Sequence, residues 1–314
     1  MRSREEHLNL LSEIKMVEKI LEDIPEDQVI DKISLEHRLK ILTEEAKDIQ
    51  LASLPRMLKV TFRGKPVVGS EGFFSDFASD AIGRFTEAVK AVAAGLKQDL
   101  HYMGPIPGAA NTNLMITGIA KGSFGFRFEV PKNDDGKDGP LYDGLNDTEE
   151  AIDKIRYLFD VVVSGDDNDD TLAEIVDEIH PRAVKKIKEF LDVLHDREAL
   201  CAMEFNNNVF RFMDDTQLAL GRSRLDDSNI HESDESFKGE IQGVLPKSRT
   251  FEFKVTDDNR VIRAKIGVEV EDPDILNREF LHKLSKITLH MTQVGQGQPR
   301  YKLIDLNNLH KING

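Results

Sequence analysis

Three clusters in this chain of 314 residues combine side chains in ways that chemistry uses. Lys121-Gly122-Ser123-Phe124-Gly125 sets bare backbone beside a lysine, as in loops that wrap phosphate. From Asp166 to Asp177, oxygen-bearing side chains recur at alternate positions. Asp166, Asn168 and Asp170 come first and Asp177 holds the twelfth place, the skeleton of a calcium loop. Glu240, Glu252 and Lys254 put two carboxylates and an ammonium on strand-like segments, a set that could hold a divalent metal and steady an attacking water. A fourth group is purely electrostatic. Arg263 with Lys265, and Arg300 with Lys302, each lie two residues apart, so each pair shares one side of a strand and could track a phosphate backbone.

Each chemical reading meets a counter-reading. The first cluster resembles the glycine-rich loop of protein kinases. However, Ala120 stands at the place of the first glycine, and Arg127 at that of the valine that packs on the base. No Val-Ala-Ile-Lys strand or Asp-Phe-Gly follows, and His195-Asp196-Arg197 is not the His-Arg-Asp loop. Phosphoryl transfer therefore lacks its lysine and its metal carboxylates. The glycines are read instead as a tight hairpin turn and a place where another backbone or ring comes close. No nucleotide or other cofactor is expected.

The acidic run resembles an EF-hand loop. Its sixth place needs glycine and holds Thr171, and its twelfth needs glutamate and holds Asp177. Thr171 and Glu174 also read as a helix capping box. A solvated acidic loop is the expectation, with a metal on Asp166, Asn168, Asp170 and Asp177 as the alternative. Glu252-Phe253-Lys254, with Glu240 on the neighbouring strand, resembles the acids and lysine of restriction-type nucleases, without the Pro-Asp that precedes them. Phe251 and Phe253 alternate with Glu252 and Lys254, which suits the wall of a barrel. The nine histidines show no helical ligand spacing, and no Cys-x-x-Cys is present, so zinc is not expected. The single cysteine, Cys201, sits among Leu200, Ala202 and Met203 and reads as buried structure.

Charge is unevenly spread. The chain carries −15, yet residues 237–314 hold 13 Lys and Arg against 10 Asp and Glu, a net of +3. Residues 131–180 hold 4 basic against 16 acidic side chains, a net of −12. That balance argues against a wholly DNA-wrapping protein, while a contact at the basic end stays open. No run approaches the roughly 18 apolar residues of a membrane span. With one cysteine and no apolar leader in MRSREEHLNLL, a cytoplasmic location is expected.

The elements that must position these groups follow from periodicity. Leu10, Ile14, Val17, Leu21 and Ile24 step by four and three, as do Leu35, Leu39, Leu42, Ala46 and Ile49, which predicts a helical hairpin over 1–52. A ββαββ two-layer domain is predicted over 53–131. Its strand at 56–67 turns at Arg63-Gly64-Lys65-Pro66. Its long helix presents Phe74, Phe77, Ala81, Phe85, Ala88, Val92 and Leu96 to the Phe124, Phe126 and Phe128 row. An acidic, mostly helical section is expected over 132–230, with Pro181 dividing a helix near His180, a hairpin turning at Asn206-Asn207-Asn208, and a mobile linker at 225–236. Residues 237–306 read as three strands, a helix and two strands. That is a five-stranded small barrel of the OB-like kind, with an SH3-like barrel as the alternative.

The fold class is thus α+β. The expected function is a non-catalytic interaction and assembly protein. Leu10, Ile14, Val17, Leu21 and Ile24 assemble it into a homo-oligomer, the acidic section meets a protein partner, and the barrel docks that partner or nucleic acid. In general look the chain is similar to bacterial accessory proteins of phage-defence or toxin–antitoxin operons, a likeness that no motif carries. Two alternatives stand beside it. One is a nucleic-acid-binding protein acting through Arg263, Lys265, Arg300 and Lys302. The other is a metal-dependent nuclease using Glu240, Glu252 and Lys254.

Overall fold

Leu58, Val60 and Phe62 alternate with Lys59, Thr61 and Arg63, a period of two that buries one side of a strand and gives the other to polar groups. The computed structural model describes residues 4–25, 28–47, 56–97, 100, 103–108, 112, 114–120, 124–130, 146–165 and 169–312. This strand, β1 (Met57–Gly64), is the middle of a five-stranded antiparallel sheet. One edge of β1 pairs with β5 (Phe124–Glu129), which pairs onward with β4 (Met115–Ala120). Its other edge pairs with β6 (Ala199–Phe205), which pairs with β7 (Asn208–Arg211). The expected return strand after Arg63 does not lie on β1. Pro66 has no N–H to give a ladder, and Val67–Val68 (β2) pairs instead with Gly72–Phe73 (β3). Residues 199–205, far along the chain, fill that edge of β1. The β6–β7 hairpin turns where expected, with Asn206 and Asn207 at φ 52° and 63°, the two positive angles a type I′ turn requires.

One face of the sheet is covered by α3 (Ser75–Leu96), whose Phe77, Ala81, Phe85, Ala88 and Val92 are all buried. The phenylalanine row meets the helix side as its alternation implies. Phe128 lies 6.2 Å from Phe85, and Phe73 lies 4.8 Å from Phe124 and 5.1 Å from Phe126. Phe74 departs from expectation. It is the N-cap of α3, whose first helical residue is Ser75, and it is 60 % exposed. Gly125 bears out its reading as a close approach, since a Cβ there would overlap the Val60 carbonyl and the Thr61 Cα of β1. The turn at 121–123 lies outside the described residues.

Further helices build on α3, with α4 (Asp147–Val163), α5 (Asp169–Ile179) and α6 (Pro181–Asp196) packed against it and α7 (Asp215–Arg224) against α4 and α6. Asn146 and Glu149 form a reciprocal capping box that starts α4. Pro181 ends α5 and becomes the first residue of α6, with His180 between them at φ 76°. Cys201 is buried, and burial pushes its thiol pKa well up, out of the reactive range. Ahead of the sheet, α1 (Arg4–Asp23) and α2 (Val29–Ala46) form the expected hairpin, with its own core of Leu10, Val17 and Leu42.

The C-terminal barrel is built from β8 (Ile230–Leu245), β9 (Thr250–Val255), β10 (Val261–Ile266), β11 (Leu284–Val294) and β12 (Arg300–Leu303). The first three form a meander, β12 runs parallel to β10, and β11 pairs with both β12 and β8, which closes the ring. The helical turn over Leu276–Phe280 lies between the third and fourth strands, the OB-like position and not the SH3-like one. A short sixth strand, β13 (Leu309–Lys311), pairs with β11 outside the ring. The expected linker is overturned in part, because Ile230 to Ser236 are strand, paired residue by residue with Val294 to Thr288. Their side chains are nearly all polar, so their order comes from backbone pairing with the apolar β11 and not from a buried pattern of their own. Among the described residues no helix is long and apolar enough to cross a membrane.

Gly125→Val should weaken the sheet without touching any charged group. The expected loss is about 1–3 kcal/mol in urea unfolding. An unchanged midpoint would mean that β1 and β5 are not this close.

Candidate functional site

The outer face of the barrel gathers most of the residues singled out by type. On β10, Ile262, Ala264 and Ile266 are buried, so Arg263 and Lys265 point outward. The parallel register sets Lys265 beside Lys302 of β12 and Ala264 beside Tyr301. Arg263, Lys265, Arg300 and Lys302 therefore do come together. Three of them already have partners within the chain. Arg263 Nε donates to Glu252 Oε1 at 3.0 Å, Lys265 Nζ lies 2.6 Å from Asp177 Oδ2, and Arg300 Nη2 donates to the Asp170 carbonyl at 3.1 Å. A polyanion on this face would have to displace those contacts or bind beside them.

The acidic run supplies the opposing wall. Asp166 and Asn168 lie outside the described residues. Asp169 and Asp170 open α5, and their carboxylates meet the turn between β11 and β12. Gln296 N donates to Asp169 Oδ2 at 3.2 Å, and Gln298 N to Asp170 Oδ1 at 2.9 Å. Gly295, at φ 52°, is what admits Asp169, since a Cβ there would overlap its carboxylate. Arg224, 3 % exposed, holds the other side of the same aspartate, with Nη2 to Asp169 Oδ1 at 2.7 Å and Nη1 to the Val161 carbonyl at 2.8 Å. Asp177 stands two turns along α5, 11 % exposed at its side chain and paired with Lys265. Among the described residues no three His, Cys, Asp or Glu side chains cluster in a way that could hold a metal ion.

Glu240 and Lys254 face each other across β8 and β9, and Glu252 lies two residues from Lys254 on the same outward side. The trio is thus one patch of the barrel wall, with Glu252 taken up by Arg263. In the hairpin, Leu10 and Val17 are buried against Leu42, with Ile14, Leu21, Leu35, Leu39 and Ala46 packed around them. Ile24 is half-buried. The stripe expected to join two chains is therefore spent on joining α1 to α2.

Periodicity missed a cluster that topology assembles. His290 of β11 registers with Lys302 of β12 on one side and Asp234 of β8 on the other. Its ring spans two carboxylates, with Nε2 3.1 Å from Glu232 Oε1 and Nδ1 3.0 Å from Asp234 Oδ1. The hydrogen bond to Glu232, and then that to Asp234, raises the imidazole pKa above its ordinary value against the effect of burial. Both acids lie in the segment expected to be a linker, so nothing in the local pattern marks them as histidine partners.

The fold and this site together define a class, a mixed α+β protein with a closed five-stranded barrel docked on a helix-covered sheet. Compared with protein-family models, curated proteins and solved structures, the chain has no match.

A raised histidine pKa favours the folded state while the ring is protonated. The contribution is full below the ordinary value of about 6.5 and is lost as pH rises through the raised pKa. His290→Asn should therefore destabilise at pH 5.5 and make little difference at pH 9 in urea titrations. An equal loss at both would show that the ring acts by packing and not by charge.

Proposed function

We propose that the chain is a non-catalytic assembly protein of the cytoplasm that pairs with a second copy of itself through its N-terminal hairpin. One observation carries this reading. Besides the stripe it turns to α1, α2 holds a second apolar stripe on its far side, with Ile30 83 %, Ile33 60 % and Ile41 44 % exposed. Together with His37, these residues step by three, four and four, the spacing of a helix seam. Apolar residues on two opposite sides leave α2 without an amphipathic face, the pattern of a helix covered on both sides.

The hairpin's own core supports the same conclusion. Among the described residues its buried apolar core is small, Leu10, Val17 and Leu42, and helices owe most of their stability in proteins to tertiary packing. A second hairpin laid on the Ile30 stripe would complete a four-helix bundle. A second copy is the occupant favoured by charge. Over residues 29–46, α2 carries three basic and four acidic side chains, so two copies meet antiparallel without strong repulsion. The barrel and sheet then serve as the rigid body that the bundle brings together in pairs.

Light scattering after size exclusion, at tens of micromolar protein, should return the mass of a dimer. Ile30→Glu combined with Ile33→Glu should return a monomer with an unchanged circular dichroism spectrum, because both positions are exposed in the single chain. A monomeric wild type, or a dimer indifferent to the two changes, would reject the reading.

A further inference from the structure

A cavity of about 440 Å³ lies between the helical body and the barrel. Its barrel side carries Lys265, Lys302 and His290, which occupy neighbouring ladder positions across β10, β12 and β11. The outer two members are neutralised, Lys265 by Asp177 and His290 by Glu232 and Asp234. Lys302, the middle one, is half-buried and has no carboxylate partner among the described residues. Facing it from the helical side is His180, at the break between α5 and α6. Arg182 N donates to His180 Nδ1 at 3.2 Å, which places the neutral ring's proton on Nε2. Thr292, buried on the same side of β11 as His290, adds a hydroxyl to the lining.

We propose that this cavity binds a small phosphate-class anion, seated on the Lys302 ammonium beside the imidazole of His180. A half-buried ammonium without a counter-ion is costly to hold, and a compact multivalent anion is the chemistry that completes it. The acids in the lining do not fill that role. Asp177 is held by Lys265, Glu178 is held by Lys154 at 2.8 Å, and Glu269 is exposed to solvent. Apolar Leu96, Leu100 and Ile304 wall the rest, which suits a phosphate with a small organic body. Burial, and next the Lys302 ammonium, push the His180 pKa down to about 4, with Arg182 adding to the effect and Glu232 and Glu269 opposing it. An anion beside the ring would reverse that shift.

Inorganic pyrophosphate is the probe, added to the full chain at about 0.1 M monovalent salt and followed by titration calorimetry and by the ring resonances of His180. The wild type should bind, and the His180 pKa should move up from about 4 towards the ordinary value of about 6.5 as the site fills. Lys302→Met should weaken binding by roughly tenfold or more, the usual weight of a charged hydrogen bond. Lys302→Arg should retain most of it. Because the change to Met removes an uncompensated charge, that variant should melt no lower than the wild type. Binding of equal strength in Lys302→Met would overturn the proposal. So would a wild type that gives neither heat nor a His180 shift at millimolar pyrophosphate, an outcome that requires no variant to fold.

Discussion

The contact on which the arrangement rests is the one between Arg224 and Asp169. Both side chains are nearly out of water, 4 % and 13 % exposed, and they lie 2.7 Å apart. A buried pair of this kind contributes little net stability compared with an apolar substitute, but losing one member costs about 3–5 kcal/mol because the other is left uncompensated. Its value here is positional. Arg224 ends α7 and also caps the last carbonyls of α4, while Asp169 opens α5 and receives the barrel's Gln296 amide. Asn229 extends the junction, donating from its side chain to the Arg224 carbonyl and accepting the Gly295 amide, each at 2.8 Å. Three helices and one barrel turn are thus referred to a single charged centre.

Everything drawn from the barrel face depends on that junction. With α5 seated on the turn between β11 and β12, Asp177 reaches Lys265, while Lys302 beside it in the ladder has no carboxylate partner among the described residues. Val294 of β11 belongs to the main core, and Ile230 packs against it, so apolar contact backs the ionic one. The acidic middle of the chain and its basic end, which sequence charge sets apart, meet here within a single molecule. Acid–base attraction is spent internally where α5 meets the barrel.

Much of the fold was legible because it follows from short-range periods. The four-and-three spacing of Leu10 to Leu21 marks the hairpin, and the alternation of Phe124, Phe126 and Phe128 marks a strand under a helix. The three-strand, helix, two-strand order marks the barrel. What escaped notice depends on distant partners. β6 lies on β1 although more than 130 residues separate them, and no local signal specifies that pairing. Ile230 to Ser236 looked like linker because a strand built of polar residues owes its order to its neighbour. Within the site, the basic pairs were readable as residues sharing a face. Their acidic partners, and the place of Lys302 between two neutralised neighbours, exist only once parallel and antiparallel registers are combined. Gly295 makes room for Asp169, a task that no local pattern marks.

Differential scanning calorimetry of the wild type beside Asp169→Ala addresses the junction most directly. If Arg224 and Asp169 fasten the barrel to the helical body, these parts of the wild type should unfold in one cooperative transition. Asp169→Ala should then separate the barrel's melting from that of the helix-covered sheet. Two resolved transitions for these parts in the wild type, or an Asp169→Ala profile that overlays it, would contradict the account.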